Sequence, residues 1–263
     1  MVTRSLDIGS TGMLAQQLNV DVISNNIANM TTSGFKRQRA EFHDLMYQNK
    51  IRPGSTSSDV GTVVPSGIQF GLGVNIGSVY RLHEQGSLQV TDNTLDLAIA
   101  GKGYFQIQLP NGDTAYTRSG VFQLNQDGEI VTAQGYPIEP SITVPEDALD
   151  IVINNSGEVT VRLPQQTTVT NLGQLQLATF QNPTGLEAIG DTMFLETEAS
   201  GTPTVGNPAE DDFGVIEQGV LENSNVNIVE EITNLIAAQR AYEMNSNVIS
   251  TSDEMLQTVS QLR

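Results

Sequence analysis

The sequence contains no cysteine and no tryptophan, and only two of its 263 residues are histidine. Without cysteine the chain can form no disulfide and no thiolate metal site. With only His43 and His83 available, a histidine-built metal site is disfavoured. Charged residues make up 16% and aromatic residues 5%, so Asn, Gln, Ser, Thr and Gly fill much of the chain. A disordered tail would carry more charge, and this composition favours strands, turns and surfaces that pack on copies of themselves.

Positive charge is also scarce, with 12 basic residues against 30 acidic ones. Six of the basic residues lie within the first 52 positions, so the remainder of the chain is strongly acidic. Nucleic-acid binding needs a basic footprint that neutralises phosphates, and we predict no nucleic-acid partner. The cluster Lys36, Arg37 and Arg39 is interpreted as a solvated or subunit-facing patch.

Long apolar runs are missing as well. The amino-terminal stretch "MVTRSLDIGSTGMLAQQ" has no apolar core followed by a cleavage site, which is not the pattern of a secretory signal peptide. No segment approaches about 18 uncharged apolar residues, the length that a transmembrane helix needs. We therefore expect a cytoplasmic chain, or one exported by a route that reads no such signal.

The amino-terminal region has a helical pattern. No Gly or Pro occurs from Met13 to Ser33, and apolar residues recur at spacings of three and four that resemble a coiled-coil seam. Gly34 is predicted to end this helix. The stretch "VISNNIANM" (22–30) places three asparagines on it, although asparagine is a mediocre helix former. We predict that Asn25, Asn26 and Asn29 form hydrogen bonds across helices or subunits, where polar seam residues can fix register. A solvent-facing stripe is the alternative.

The carboxy-terminal region predicts a longer helix, from Ile228 to Leu262. Asn227 and Glu230 have the spacing of a capping box, and no Gly or Pro occurs after Gly219. A narrow apolar seam runs along it, formed by Ile228, Ile232, Leu235, Tyr242, Ile249, Leu256 and Val259. Its polar positions are Gln239, Asn245 and Ser252. A helix of that length, about 50 Å, usually pairs with another long helix.

Between the two ends the pattern alternates with period two, which predicts short antiparallel strands. Predicted strands lie at 104–109, 115–124, 129–133 and 172–180, and residues 149–161 are predicted to form two strands around a turn. Asn111-Gly112 and Asp127-Gly128 are strong hairpin signals, and Asn155 to Gly157 form a third turn. Residues 47–73 are rich in Gly, Pro, Ser and Thr, and they predict a long loop or ribbon in which Val63, Val64, Ile68 and Phe70 could pair. Residues 198–212 are interpreted as a surface excursion.

No motif indicates catalysis or a cofactor. The glycines of "GLGVNIG" and "GKGYF" lack the strand and helix context of a phosphate-binding loop. No nucleophile-elbow sequence occurs, and Asp127 to Glu129 lack the other oxygens of a calcium loop. His43, in a short stretch predicted helical, and His83, near a predicted strand end, are interpreted as structural or exposed. We predict no catalytic residue, no metal and no cofactor.

The segments at both ends and in the middle carry a resemblance. "LDIGSTGMLAQQLNVDVISNNIANMTTSGFKRQRAEF" and "ENSNVNIVEEITNLIAAQRAYEMNSNVISTSDEMLQTVSQL" resemble the terminal signatures of the flagellar rod and hook axial proteins. "LDLAIAGKGYFQIQLPNGDTAYTRSGVFQLNQDGEIVTAQGYPI" is similar to the β module that the family shares. Within the family, the chain length and segment 47–73 resemble the distal-rod members.

The resemblance implies an α+β fold in which the terminal helices pair as a coiled-coil-like bundle around an inserted antiparallel β module. The expected parts are residues 1–34 with 222–263 as an inner axial domain, 35–75 as a rod-specific extended segment, and 76–221 as a β-rich outer domain. Residues on both helices and at the first helix end would mediate subunit assembly: Leu18, Ile23, Asn25, Asn26, Ile27, Asn29, Gly34, Phe35, Ile232, Leu235, Gln239, Tyr242, Asn245, Ile249 and Leu256.

The implied role is a structural subunit of the basal-body rod, which self-assembles helically into a rigid drive shaft between the proximal rod and the hook and transmits torque. Its partners would be copies of itself, proximal rod proteins, the hook side, the peptidoglycan and outer-membrane ring proteins that act as a bushing, and the flagellar export apparatus. It would reach the periplasmic space without a cleavable signal peptide. The alternatives are another rod or hook axial protein, a peptidoglycan-acting enzyme, or a secreted β-rich binding module.

Overall fold

The computed structural model describes residues 2–54, 66–164, 169–210 and 212–261. Two α-helices flank a region of short strands, so the fold class is α+β. The helices are α1 (Val2–Ala28) and α2 (Ile228–Gln261), and a short 3₁₀ turn spans Pro183–Gly185. The strands are β1 (Gln38–Asp44), β2 (Tyr47–Ile51), β3 (Ile68–Gly71), β4 (Val74–Arg81), β5 (Leu88–Val90), β6 (Leu97–Ala100), β7 (Tyr104–Gln108), β8 (Thr114–Thr117), β9 (Phe122–Leu124), β10 (Ile130–Thr132), β11 (Ile138–Glu139), β12 (Asp150–Ile153), β13 (Glu158–Arg162), β14 (Thr170–Gln174), β15 (Leu177–Thr179), β16 (Glu187–Gly190), β17 (Met193–Leu195), β18 (Thr204–Gly206), β19 (Val215–Gln218) and β20 (Val220–Glu222).

Helix α1 begins eleven residues before the predicted start at Met13 and ends at Ala28 rather than near Ser33. Gly9 and Gly12 lie inside it, where glycine normally weakens a helix by about 1 kcal/mol. Gly34 therefore does not directly follow the helix, because turns occupy the intervening residues. It still adopts the left-handed backbone expected of such a glycine, with φ +71°.

Helix α2 begins at the predicted Ile228 and continues through Gln261. Glu230 and Glu231 lie in its first turn, where negative side chains interact favourably with the positive end of the helix dipole. The predicted last residue, Leu262, lies outside the described residues.

The chain divides into two compact units. Unit 1 comprises residues 1–27, 38–80 and 228–263, and unit 2 comprises residues 28–37 and 81–227. This division reflects contacts within one chain, whereas the expected inner and outer parts concern an assembly, so those boundaries stay a prediction.

Unit 1 combines both helices with two β-ribbons. Strand β1 pairs with β4, and β2 pairs antiparallel with β3. The prediction of a helix around His43 was wrong, because this residue lies on β1, whose residues alternate between half-buried and exposed over most of its length. Strands β2 and β3 form a ribbon within the segment 47–73 that includes Ile68 and Phe70, whereas Val63 and Val64 lie outside the described residues.

Unit 2 contains several antiparallel sheets of different sizes. Six strands of the largest sheet follow the order β16-β17-β8-β7-β15-β18, and β11 pairs with β7 at its other end. Strands β12, β13 and β14 form a three-stranded sheet, and three further pairs join β9 with β10, β6 with β19, and β5 with β20. The predicted hairpins at Asn111-Gly112 and Asp127-Gly128 are confirmed by the pairing of β7 with β8 and of β9 with β10.

Two predicted strands are each interrupted. The stretch 115–124 is divided between β8 and β9, and 172–180 is divided between β14 and β15. The region 198–212 is more than a surface excursion, since it contributes β18 to the edge of the largest sheet through pairing with β15.

The hydrophobic core of unit 2 lies between these sheets. Residues with essentially no exposure, including Leu97, Ile99, Phe105 and Leu177, form the main cluster. A second cluster of Tyr104, Tyr116, Phe180 and Phe194 packs edge to face, an arrangement that suits aromatic quadrupoles.

Candidate assembly site

Helices α1 and α2 contact each other through a series of side chains. Ser5 Oγ lies 3.0 Å from Ser252 Oγ, and Asn26 Nδ2 donates to Glu231 Oε2 at 3.4 Å. As the residue number increases along α1, the number of the contacting residue on α2 decreases. The two helices therefore run antiparallel where they touch.

Two glycines of α1 allow α2 to approach closely. A Cβ atom on Gly9 would lie 2.9 Å from Ile249 Cγ1, and a Cβ atom on Gly12 would lie 2.8 Å from Asn245 Nδ2. Both distances are shorter than ordinary van der Waals contact. Glycine at these positions lowers the intrinsic stability of α1, but it leaves space into which α2 packs.

Asn26 is 1% exposed, and both its side-chain oxygen and its side-chain nitrogen have partners within unit 1. Its Oδ1 accepts from the Gln38 backbone amide at 2.8 Å, and its Nδ2 donates to the Gln38 carbonyl at 2.9 Å. The amide therefore joins α1 to the start of β1 and to α2. Its role in subunit assembly stays a prediction.

The other two asparagines of "VISNNIANM" lie in different environments. Asn25 is exposed, whereas Asn29 is half-buried and accepts a hydrogen bond from Thr32 Oγ1 at 3.3 Å. The three amides thus do not form one cluster on a single helix face.

The remaining predicted assembly residues differ in exposure. Ile23 and Gly34 are buried. The exposed ones are Ile232, Gln239 and Tyr242. The half-buried ones are Leu18, Ile27, Phe35, Leu235, Asn245, Ile249 and Leu256. Their function in assembly stays a prediction.

Helix α2 also carries large apolar side chains that unit 1 leaves exposed. Ile228, Ile232 and Ile236 recur at every fourth residue with exposed fractions of 43–47%. Further along the helix, Met244, Val248, Met255 and Val259 share one face and are 45–63% exposed. Scattered apolar surface is ordinary, but contiguous apolar stripes mark interaction surfaces.

A buried charge cluster lies in unit 2. Glu222 Oε1 accepts from Lys36 Nζ at 2.6 Å, and Glu222 Oε2 accepts from Arg118 Nε at 2.9 Å. Lys36 also donates to the Glu84 carbonyl at 2.7 Å. The interpretation of Lys36 as part of a solvated or subunit-facing patch was wrong, because this side chain is 1% exposed.

Backbone groups complete the surroundings of this cluster. Gly34 N donates to the Glu222 carbonyl at 2.8 Å, and a Cβ atom on Gly34 would lie 2.5 Å from Ser119 N. The Arg118 guanidinium donates to the carbonyls of Gly103 and Gly101 at 2.6 and 2.8 Å. The cluster thus connects the chain after α1 with the chain before α2.

His83 and Tyr104 lie beside the same cluster, and the Tyr104 hydroxyl is 2.7 Å from His83 Nδ1. Burial and the nearby Lys36, Arg81 and Arg118 lower the pKa of His83 to about 4. Burial raises the pKa of Tyr104 to about 12. At neutral pH both groups are uncharged, and neither is poised for acid–base catalysis.

Sequence reasoning missed Gly9, Gly12, Arg118 and Glu222. Gly9 and Gly12 lie before the Gly-free stretch that begins at Met13, and glycine is typical of breaks in a helix rather than of its interior. Nothing in the local sequence distinguishes Glu222 from the other acidic residues, because its partners Lys36 and Arg118 lie 186 and 104 residues away.

In the described part of the chain, no three His, Asp or Glu side chains are grouped so that they could hold a metal ion. Over the same residues, neither helix is long and apolar enough to cross a membrane.

Comparison with known protein families matches three regions of the chain. Residues 6–36 match the flagella basal body rod protein family, residues 98–161 the D1 domain of the flagellar hook protein FlgE/F/G family, and residues 217–262 the carboxy-terminal region of the flagellar basal body rod FlgEFG proteins. These regions include most of α1, all of α2 and residues 98–161 of unit 2.

Several known proteins are similar to this chain over nearly its entire sequence. The flagellar basal-body rod protein FlgG of Caulobacter vibrioides is 59% identical over 260 residues, which is 99% of both chains. The protein of the same name from Borreliella burgdorferi is 44% identical over 99% of this chain and 98% of its own, and that from Bacillus subtilis is 38% identical over 99% of both. The chain belongs to the flagellar basal-body rod protein family, and it is a structural subunit of the rod of the flagellar basal body.

Proposed function

We propose that copies of this chain self-assemble helically into the distal rod, a rigid shaft that joins the proximal rod to the hook and transmits torque. The observation that carries the proposal is the row of exposed apolar side chains on α2. A chain that stayed monomeric would leave Met244, Val248, Met255 and Val259 in water at about 25 cal/mol per Å² of apolar area. Packing against a neighbouring copy removes that area from solvent.

Heptad spacing supports pairing of α1 and α2 as a coiled-coil-like bundle. The α1 contact residues Ser5, Gly12 and Asn26 are separated by seven and fourteen positions, and so are their α2 partners. A seven-residue repeat keeps one seam facing its partner along a supercoil. In the assembly this bundle forms the inner layer and the β-rich part forms the outer layer.

Contact between subunits gives the other predicted residues their role. Ile232, Gln239 and Tyr242 are exposed in the single chain, as residues that meet a neighbouring copy would be. The segment 35–75, which contains the β2–β3 ribbon, is proposed as the rod-specific extension that bridges neighbours.

The membership of the chain in the rod family supports further partners. These are proximal rod proteins, the hook side, the ring proteins of the peptidoglycan and outer membrane, and the export apparatus that delivers the chain to the periplasmic space. The role is structural rather than enzymatic.

The experiment replaces one exposed apolar residue of α2 and follows filament formation. Val248→Lys places a charge on the apolar stripe, and Gln257→Lys places the same charge on an exposed polar position of the same helix. We expect the wild-type chain and Gln257→Lys to form concentration-dependent filaments in electron micrographs, and Val248→Lys to remain monomeric with unchanged circular dichroism.

Filaments formed equally well by Val248→Lys would contradict a role for this stripe in assembly. A muramidase assay on the same preparations tests the enzymatic alternative. Monomers that hydrolyse peptidoglycan would overturn the structural role.

A further inference from the structure

Unit 2 contains a cavity of about 320 Å³ beside the buried charge cluster. Its walls include Lys36, Arg118, His83, Tyr104 and Phe180, and Lys102 stands at its rim. Ligand cavities in proteins begin at about 300 Å³. The space therefore suits a compact molecule rather than a single water, which occupies about 30 Å³ in the liquid.

Buried charge next to the cavity does not balance. Lys36 and Arg118 are 2% and 5% exposed, and Glu222 provides one negative charge for the two positive ones. Lys102 adds a third cation, although it is 75% exposed and lies 3.8 Å from the exposed Asp212. In a chain whose net charge is -18, this is an unusual concentration of positive charge.

The lowered pKa of His83, a neighbouring group, is consistent with a positive electrostatic potential in the cavity. Lys36, Arg81 and Arg118 all contribute to lowering the pKa of His83 to about 4, after the larger effect of burial. Desolvation also lowers the pKa of Lys36, and its attraction to Glu222 and Glu84 only partly opposes this. A buried excess of positive charge is costly unless an anion compensates it.

Hydrogen-bond donors remain available to such an anion. Lys36 Nζ has three N–H groups, of which two reach Glu222 and the Glu84 carbonyl. His83 Nδ1 and the Tyr104 hydroxyl share a hydrogen bond of 2.7 Å. The Arg118 guanidinium has five N–H groups, and its four hydrogen bonds to Glu222 and to backbone carbonyls leave one N–H for a ligand. Phe180 and Tyr104 supply aromatic surface on the same walls.

We propose that this cavity binds a small organic carboxylate, with the carboxylate near Lys36 and Arg118 and an apolar, ring-sized body against Phe180 and Tyr104. Charge-assisted hydrogen bonds from ammonium and guanidinium groups recognise carboxylates strongly. Aromatic walls complement an apolar body. None of the residues named at this site belongs to α1 or α2, the helices to which the proposed function assigns assembly.

The test titrates the full-length chain with benzoate and follows backbone amide shifts by nuclear magnetic resonance. Benzoate has the required carboxylate and ring, and benzamide is its uncharged counterpart. We expect saturable shifts at the Gly101 and Gly103 amides with benzoate, and at least tenfold weaker binding of benzamide.

Variants locate the site without disturbing the buried cluster. Thr179→Phe places a larger side chain in the cavity wall, whereas Thr179→Ser preserves the space and is the matched control. We expect Thr179→Phe to weaken benzoate binding at least tenfold and Thr179→Ser to change it less than twofold. Lys102→Gln at the rim should weaken binding about threefold, and Lys50→Gln, in unit 1, should have no effect.

Equal binding of benzoate and benzamide would overturn the proposal, because recognition would then not depend on charge. Shifts that survive Thr179→Phe, or the absence of saturable shifts in the wild-type chain, would overturn it too. Circular dichroism of Thr179→Phe checks that any loss of binding occurs in a folded chain.

Discussion

At the scale of single residues, Glu222 organises the buried part of unit 2. Its carboxylate accepts from Lys36, Arg118 and the Gly86 amide, the last at 2.9 Å, and its side chain has no exposure. Breaking a buried ion pair by removing one partner leaves an uncompensated charge. The stability of unit 2 therefore depends on this carboxylate more than on any charge at the surface.

Glu222→Gln is expected to lower the free energy of unfolding by about 3–5 kcal/mol, since Lys36 and Arg118 stay buried without a counter-ion. The measurement is urea unfolding followed by circular dichroism. Asp212→Asn is the matched control, because the Lys102–Asp212 pair is exposed, and we expect a change within about 0.5 kcal/mol. Similar losses in both variants would contradict the importance of burial.

His83 is expected to make the protein less stable in acid. Its pKa is about 4 in the folded chain and about 6.5 in the unfolded chain, so the unfolded chain binds more protons between those two values. Stability should fall by roughly 3 kcal/mol as the pH decreases from 6.5 to 4. Unfolding free energies measured at pH 7 and pH 4 should differ less in His83→Gln than in the wild type.

The control for this prediction is His43→Gln, which changes the exposed histidine on β1. It should preserve the pH dependence of the wild type. An unchanged pH dependence in His83→Gln would contradict the contribution of His83.

At the scale of elements, the close contact between α1 and α2 depends on Gly9 and Gly12, which have no side chain to hold the helices apart. Gly9→Leu should destabilise unit 1 by about 1–3 kcal/mol through overpacking against Ile249, although leucine is the better helix former by nearly 1 kcal/mol. Thermal unfolding measures the difference. Ser10→Leu, at the neighbouring exposed position, is the control.

Two results would separate close packing from helix propensity. Ser10→Leu should leave stability unchanged or slightly raise it, and Gly9→Leu combined with Ile249→Ala should recover part of the loss. Stabilisation by Gly9→Leu alone would mean that α2 does not approach α1 at this position.

The elements show which parts of the fold follow from local sequence. The hairpins at Asn111-Gly112 and Asp127-Gly128 were predictable because the backbone of a tight turn needs glycine. The amino end of α1 was not, since Gly9 and Gly12 read as breaks in a helix until the position of α2 is known. Burial of Lys36 could not be predicted either, because Glu222 lies 186 residues away along the chain.

The burial of the residues predicted for assembly was only partly predictable, and their role in assembly stays a prediction. Periodicity identified a long α2 with Leu235, Ile249 and Leu256 on one seam, and all three are half-buried. It placed Ile232 and Tyr242 on that seam too, yet both are exposed. A repeat close to 3.5 residues cannot assign each side chain to the partner helix or to another copy.

At the scale of the whole molecule, negative charge opposes self-association. Unit 2 contains 20 acidic and 6 basic residues, and two of the basic ones are buried. Like charges on neighbouring copies repel over a Debye length of about 10 Å at 0.1 M salt and about 3 Å at 1 M. The proposed assembly must overcome this repulsion.

We therefore expect filaments to form at a lower protein concentration as salt increases from about 0.05 to 0.5 M. Light scattering measures the concentration at which assembly begins. Glu146→Gln combined with Asp147→Asn removes two exposed charges and should shift that concentration in the same direction at low salt. Filaments that dissociate on adding salt would show instead that attraction between opposite charges drives assembly.

The buried ion pairs join residues that are far apart along the chain, and this separation affects the order in which unit 2 can fold. Lys36 precedes Glu222 by 186 residues and Arg118 precedes it by 104. A chain synthesised from its amino end presents both cations long before their shared carboxylate. Unit 2 can complete its packing only after residue 222 has emerged, so burial of Glu222 is among the last steps of its folding.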